Sequence, residues 1–281
     1  MLNLFEYAKK DPVVFEKSPD NIWTNNKLNS FILNSHFKNE ISGGSKDSST
    51  IQKSIDFIDK WAKHFSFNKI LDLGCGPGIY SHELGKRDYK VTGVDFSKNA
   101  ISYAKNHYKN DNTNFICKDI FNFYSTQKYE VCLLIYYIYA LFDKDKRMKL
   151  LKKIYSSLDN DGILILDVPS YNQFQKYQNL NFWNYFDKDN IYDLDPFILF
   201  YSIKKYEDNV LLNQSMYYFE SGETVTTYDW TQHFTKEHLK KELESNGFKI
   251  LGIYGDSNGE PFTKDSANLS MVCQKRSENS L

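Results

Sequence analysis

The sequence predicts an α/β protein: a doubly wound, mostly parallel seven-stranded sheet with a small antiparallel β insertion. Three observations predict it. From about residue 67 to residue 168, short apolar runs alternate with helical patterns, the rhythm of βα units joined by right-handed crossovers. A glycine-dense turn, Gly74-Cys75-Gly76-Pro77-Gly78, follows the first of those runs. From 169 to 234 the alternation gives way to aromatic, β-rich segments, before a helix and two more strands complete the pattern.

Taken in order, residues 1–66 precede the first sheet strand. Residues 28–37 have helical apolar spacing, 41–50 form a small polar loop, and 56–62 read as an amphipathic helix that packs on the sheet. The first strand is the run Ile70-Leu71-Asp72-Leu73, the second spans 89–95, and the third spans 114–117. Ser97 caps a helix after the second strand. The fourth strand covers 129–137, apolar enough for the centre of a sheet. A helix over 143–158 and an Asn160-Asp161-Gly162 turn lead to the fifth strand, 163–168. Within 169–234, three β segments are expected, 197–206, 210–219 and 223–233, with hairpin-like turns between them. Thr235 then caps a helix closed by Gly247, and strands at 248–254 and 269–274 follow.

The glycine turn lets the backbone approach a ligand without a Cβ in the way. The helix after it offers free N–H groups to the polar or anionic end of a nucleotide-like ligand. The pattern is D-x-G-x-G-x-G, and Ile79 stands where the dinucleotide fingerprint G-x-G-x-x-G wants glycine. No ATPase-type phosphate loop occurs. Asp95 ends the second strand about twenty residues beyond the turn, the spacing of a ribose-binding acid. With Asp72 and Asp119, it makes three acids at or just beyond three successive strands.

In combination these stretches resemble the class I S-adenosylmethionine-dependent methyltransferases. Residues 70–78 match the family's first motif, 91–95 its second, and 117–120 the acidic loop after its third strand. The resemblance covers roughly residues 65–170 and implies a Rossmann-like methyltransferase fold with S-adenosylmethionine as cofactor. It implies that Gly74, Cys75, Gly76 and Gly78 hold the methionine end, with Asp72 near the turn and the cofactor amino group. Asp95 would accept hydrogen bonds from the ribose hydroxyls while Phe96 packs on adenine. Asp119 would face the adenine amino group, with Ile120 against the ring. Ile135 opens the stretch 135–142, where the family places groups facing the transferred methyl. An Asn-Pro-Pro-Tyr type motif, used there by methyltransferases of nucleobase or glutamine amino groups, is absent. Family precedent also makes residues 1–66 a helical lid, bringing Trp23, Phe31 and the Gly43-Gly44 loop toward the site; a packing helix and linker is the plain alternative. The core is then 67–168 with 235–275. The insertion, 169–234, becomes a substrate wall or a dimer contact.

The sulfonium cofactor carries its own electrophile, so the protein must align a nucleophile and exclude water. A base is needed only for a protonated acceptor. His233, where the insertion rejoins the core, is the candidate base, against a structural histidine bonded to a loop carbonyl. Tyr136 and Tyr139 are further candidates for the reaction, and Tyr137, Trp23 and Trp230 for substrate binding, against ordinary core packing. No metal-ligand constellation is visible; Asp143 and Asp145 sit at a helix start, where acids complement the dipole anyway.

Composition sets the outer bounds. A net charge of −1 over 281 residues disfavours a protein that holds a long nucleic-acid backbone. The basic cluster Lys144, Lys146, Arg147, Lys149, Lys152 and Lys153 reads as a solvated helix face. Cysteines 75, 117, 132 and 273 form no C-x-x-C pair and read as reduced, buried thiols of a cytoplasmic protein. No run suits a signal peptide or a membrane crossing. Aromatics make up 16% of the chain, which suits an apolar or cationic acceptor. The expected function is methyl transfer to a small molecule by a monomer or homodimer. The alternatives are an RNA or protein methyltransferase and a non-catalytic S-adenosylmethionine-binding sensor or partner subunit. A nicotinamide oxidoreductase is more distant.

Overall fold

The computed structural model describes residues 4–38 and 44–276. It divides into two compact units: the described residues up to Ser45 with Phe174–His233, and those from Lys46 to Gln173 with Phe234 onward. The chain opens with two short helices, α1 (Leu4–Lys9) and α2 (Asn29–Ser35). The larger unit then runs through α3 (Ser48–His64), β1 (Lys69–Leu73), α4 (Ile79–Gly85), β2 (Lys90–Asp95), α5 (Lys98–His107) and β3 (Thr113–Cys117). It continues with β4 (Tyr129–Leu134), α6 (Lys144–Ser157) and β5 (Leu158–Pro169). After α7 (Tyr171–Lys176) come β6 (Leu180–Phe186), β7 (Phe197–Lys205), β8 (Val210–Phe219) and β9 (Thr224–Gln232). The chain closes with α8 (Lys236–Ser245), β10 (Phe248–Tyr254) and β11 (Asn268–Lys275).

In the larger unit seven strands pair in the order β10-β11-β5-β4-β1-β2-β3, and only β11 runs antiparallel to its neighbours. The chain steps outward from β1 through β2 to β3, then returns to place β4 on the other side of β1. That reversal opens a crevice at the carboxyl ends of β1 and β4, where open α/β sheets bind ligands. Side chains alternate between faces with period two. Leu71, Leu73, Cys132, Leu134, Leu164 and Leu166 pack with Leu150 and Ile154 of α6 and Leu239 of α8. Ile70, Val131, Leu133 and Ile165 pack with Ile51, Ile55 and Ile58 of α3. Those three isoleucines fall on one stripe of α3 by their spacing, and the Asp47 carboxylate caps the helix by accepting the Thr50 N–H at 3.0 Å.

In the smaller unit β6-β7-β8-β9 form an antiparallel sheet. The amino-terminal segment wraps onto it. The Tyr7 hydroxyl meets the carbonyls of Phe200 and Gln214 at 3.0 and 2.9 Å. Asp20 accepts the Thr226 N–H at 2.8 Å. Leu28 and Phe31 pack on Phe197, Tyr217 and Phe219.

Several expectations change here. Residues 1–66 are not one segment: the boundary between units falls at Ser45, and α3 belongs with the seven-stranded sheet because its apolar stripe is buried there. Gly43 lies outside the described residues. The second sheet has four strands rather than three. β6 escaped notice because six of its seven residues are exposed, which leaves no alternating burial signal. β4 stops at Leu134, short of the tyrosines. Asp161 keeps a turn-like φ of 61° inside a continuous β5. Arg147 is buried rather than solvated, and Cys117 is exposed.

Candidate active site

The glycine turn is folded back onto β2: the Gly74 and Cys75 N–H groups both reach the Val94 carbonyl, at 2.8 and 3.2 Å. Gly74, Gly76 and Gly78 adopt φ of 76°, 53° and 86°. A side chain is strained at all three, and there is no room for one at Gly78, where a Cβ would come within 2.6 Å of the Phe115 ring.

Two carboxylates underlie this turn. Asp95 is 9% exposed, and its oxygens accept the Gly76 N–H at 3.0 Å and the Ser97 N–H at 2.8 Å. Burial raises its pKa, and those N–H donors oppose the rise. Two donors leave lone pairs on the carboxylate for a ligand hydroxyl. Asp72 is deeper, 3% exposed, and accepts the Ser81 hydroxyl at 2.7 Å. Burial, aided by the nearby Asp95 charge, pushes its pKa up to about 6.

Phe96 follows Asp95 with 40% of its surface exposed. Ile120 is buried, while Asp119 is exposed and accepts the Phe121 N–H at 2.7 Å. Ile135 is buried just past the end of β4. An acid with free lone pairs, an exposed aromatic face and a turn with no room for Cβ atoms suit a nucleoside cofactor with a polar tail. The described residues hold no group of three or more His, Cys, Asp or Glu placed to bind a metal ion.

Beyond β4 the chain does something the sequence did not announce. Tyr136 and Tyr137 are both left-handed, with φ of 68° and 67°. An L-residue there costs about 1–2 kcal/mol, so two in succession need a tether. The Tyr137 N–H donates to Asp167 Oδ1 at 2.9 Å. Asp167 Oδ2 accepts from Lys46 Nζ at 2.7 Å. Lys46 also binds Asp256 and donates to the Ser257 hydroxyl at 3.1 Å. Asp256 accepts from Asn268 Nδ2 at 2.7 Å, and Asn268 Oδ1 accepts the Tyr137 hydroxyl. Burial alone would lower the Lys46 pKa, but the two carboxylates outweigh it and hold the pKa above its ordinary value. Burial raises the Tyr137 phenol. Lys46 carried no signal, since it sits in a polar loop. Asp167, polar at the carboxyl end of an apolar strand, did carry one.

The other candidates lie elsewhere. Tyr139 is a core residue, 0% exposed, with its hydroxyl 2.6 Å from Glu242. Glu242 also holds Arg147 Nε and Nη2 at 3.0 and 2.6 Å, pinning α6 to α8. His233, in the smaller unit, is 2% exposed beside the Phe174 and Tyr177 rings. Burial lowers its pKa to about 4, and Nδ1 is buried with no hydrogen-bond partner. Trp230 is buried in the same unit and donates to the Glu16 carbonyl at 2.9 Å. Trp23 is half-buried, its ring 6.2 Å from that of His36. The structure thus gathers the cofactor candidates and the Tyr136–Tyr137 pair along one edge of the sheet. It leaves Tyr139 in the core and places His233, Trp23 and Trp230 in the other unit.

Residues 70–162 match a family model described as a methyltransferase domain. A protein of Geobacillus sp. strain WCH70 named as a methyltransferase is 26% identical over 240 residues, covering 78% of this chain and 90% of its own. The CcbJ methyltransferase of Streptomyces caelestis shares the fold at a TM-score of 0.68 and 14% identity, over 91% of this chain and 99% of its own. An S-adenosylmethionine-dependent methyltransferase of Clostridium acetobutylicum does so at 0.66 and 19%, over 81% and 92%. The matched segment begins inside β1 and runs into β5, so it spans the turn, the acids and the β4 edge just described. Residues 70–162 thus carry a methyltransferase domain, in a chain with the fold of S-adenosylmethionine-dependent methyltransferases.

Proposed function

We propose that the acceptor is a small molecule, apolar or cationic, held at the carboxyl ends of β4 and β5. The observation that carries this reading is the Tyr136–Tyr137 pair. The two rings stack at 5.4 Å with planes 15° apart, beside the turn that seats the cofactor, and aromatic faces attract both apolar and cationic groups. A net charge of −1 supports a small acceptor over a nucleic acid.

S-adenosylmethionine supplies an electrophilic methyl group on sulfonium. In the proposed arrangement Gly74, Cys75, Gly76 and Gly78 cradle its polar end, near Asp72. Asp95 accepts hydrogen bonds from the ribose, Phe96 and Ile120 sandwich the base, and Asp119 meets the base's amino group. Ile135 and Tyr136 border the transferred methyl and exclude water from it. An ammonium, phenol or thiol acceptor must lose its proton before it attacks, whereas an amine that arrives neutral needs no general base. The test is formation of S-adenosylhomocysteine across a panel of amines, phenols and thiols, with RNA and protein as competing acceptors. Turnover confined to RNA or protein would overturn the reading.

For the second sheet we propose a contact between copies of the chain. β6 is an edge strand with no charged residue, and Phe182, Trp183 and Tyr185 are exposed at 44%, 64% and 55%. Natural edges usually carry lysine, proline or a bulge that blocks pairing. Antiparallel pairing of β6 with its own copy, centred on Trp183, opposes no like charges. Light scattering on the wild type and Trp183→Lys tests this: a dimer that the variant splits supports it, and a wild-type monomer overturns it.

A further inference from the structure

We propose that Lys46, Asp167, Asp256 and Asn268 are positioning residues for methyl transfer, clamping the turn at Tyr136–Ile138 against the glycine turn that seats the cofactor. The hydrogen bonds form a closed ring. It leaves Tyr137 through its backbone N–H to Asp167, passes through Lys46, Asp256 and Asn268, and returns to the Tyr137 hydroxyl. One residue is therefore held at both its backbone and the tip of its side chain. What the ring holds is strained: Tyr136 and Tyr137 are consecutive left-handed residues, and such strain persists only where surrounding structure enforces it.

The strained turn also touches the cofactor seat. Ile138 fills the space beside Gly74, where a Cβ would meet Ile138 Cδ1 at 2.7 Å. Tyr136, stacked on Tyr137, follows its position.

The ring draws on four separate places: the loop before α3, the end of β5, the loop after β10 and the start of β11. It carries one ammonium and two carboxylates, with side-chain exposures of 8%, 0% and 13%. Buried charges demand partners, so each member fixes the next and removal of one loosens the rest. In-line displacement tolerates little misplacement of the groups around the methyl, which gives such a clamp a purpose beyond stability. The inference rests on the cofactor and stands whatever the acceptor proves to be.

The test pairs calorimetric titration with S-adenosylhomocysteine and amide hydrogen exchange, on the wild type, Asp167→Ala and Asp167→Asn. Asparagine keeps an oxygen for the Tyr137 N–H; alanine does not. The clamp predicts that Asp167→Ala frees the Tyr137 amide and weakens binding by about tenfold, while the Val131 and Leu133 amides of β4 stay protected. Asp167→Asn, which keeps the Tyr137 link but loses the carboxylate that holds Lys46, should recover only part of the affinity. Wild-type affinity in an Asp167→Ala protein whose Tyr137 amide exchanges freely would overturn the proposal, as would equal losses in both variants. Should Asp167→Ala fail to fold, Tyr137→Phe opens the ring at its Asn268 link alone. An unchanged dissociation constant in that variant would also overturn it.

Discussion

The Asp95 carboxylate accepts the Gly76 backbone N–H at 3.0 Å. The acid that ends β2 thereby fixes the turn that follows β1, so two stretches about twenty residues apart behave as one seat. With the Gly76 and Ser97 N–H groups as its donors, the same carboxylate keeps lone pairs for a ligand hydroxyl. We therefore expect its substitution to act on cofactor binding directly and through the turn.

Gly78 sets the shape of that turn. Its φ of 86° and the Phe115 ring 2.6 Å from where a Cβ would stand make alanine doubly unfavourable. We expect Gly78→Ala to destabilise the protein by about 2–5 kcal/mol, the left-handed strain and the overpacking together. Urea unfolding measures it; an unchanged midpoint would show that the turn relaxes without cost.

Asp72 should make the protein less stable at neutral pH than near pH 4. Its folded pKa, raised by burial to about 6, lies above the ordinary aspartate value of 3.8. Stability linked to this group is therefore complete below about 3.8 and is lost as pH rises through 6. Asp72→Asn, which can still accept the Ser81 hydroxyl, should raise the melting temperature at pH 7, by an amount equivalent to about 3 kcal/mol. The gain should vanish near pH 4. A gain independent of pH would contradict the assignment.

Glu242 behaves in the opposite sense. Burial would raise its pKa, but His238, Arg147 and Tyr139 together depress it to about 2 from the ordinary glutamate value of 4.5. Its contribution is present above 4.5 and is lost as pH falls through 2. Glu242→Ala leaves the Arg147 guanidinium buried without its carboxylate, so a loss of about 3–5 kcal/mol at pH 7 is expected. Thermal unfolding from pH 7 to pH 2 tests both statements; a variant as stable as wild type at pH 7 would contradict the first.

The sheet unit was largely legible because its signals are local. Apolar runs, glycine spacing and the caps at Ser97 and Thr235 each act within a few residues. The glycine turn after β1, Asp72 within β1 and Asp95 at the end of β2 could be placed for the same reason. What stayed hidden depends on contacts far apart in the chain. Tyr139 was misread because a strand-end tyrosine cannot declare that a glutamate 103 residues later receives its hydroxyl. Lys46 and Asp167 are separated by 121 residues, and no pattern in either stretch points to the other. β6 has no alternating signal because both of its faces are exposed.

We propose that the glycine turn and Asp95 seat S-adenosylmethionine. Calorimetric titration with S-adenosylhomocysteine, on the wild type and on Asp95→Ala, tests it most directly. Tight wild-type binding is expected, weakened in the variant by roughly 1.5–3 kcal/mol for each charge-assisted hydrogen bond lost. A folded Asp95→Ala protein that binds as tightly as the wild type would contradict it.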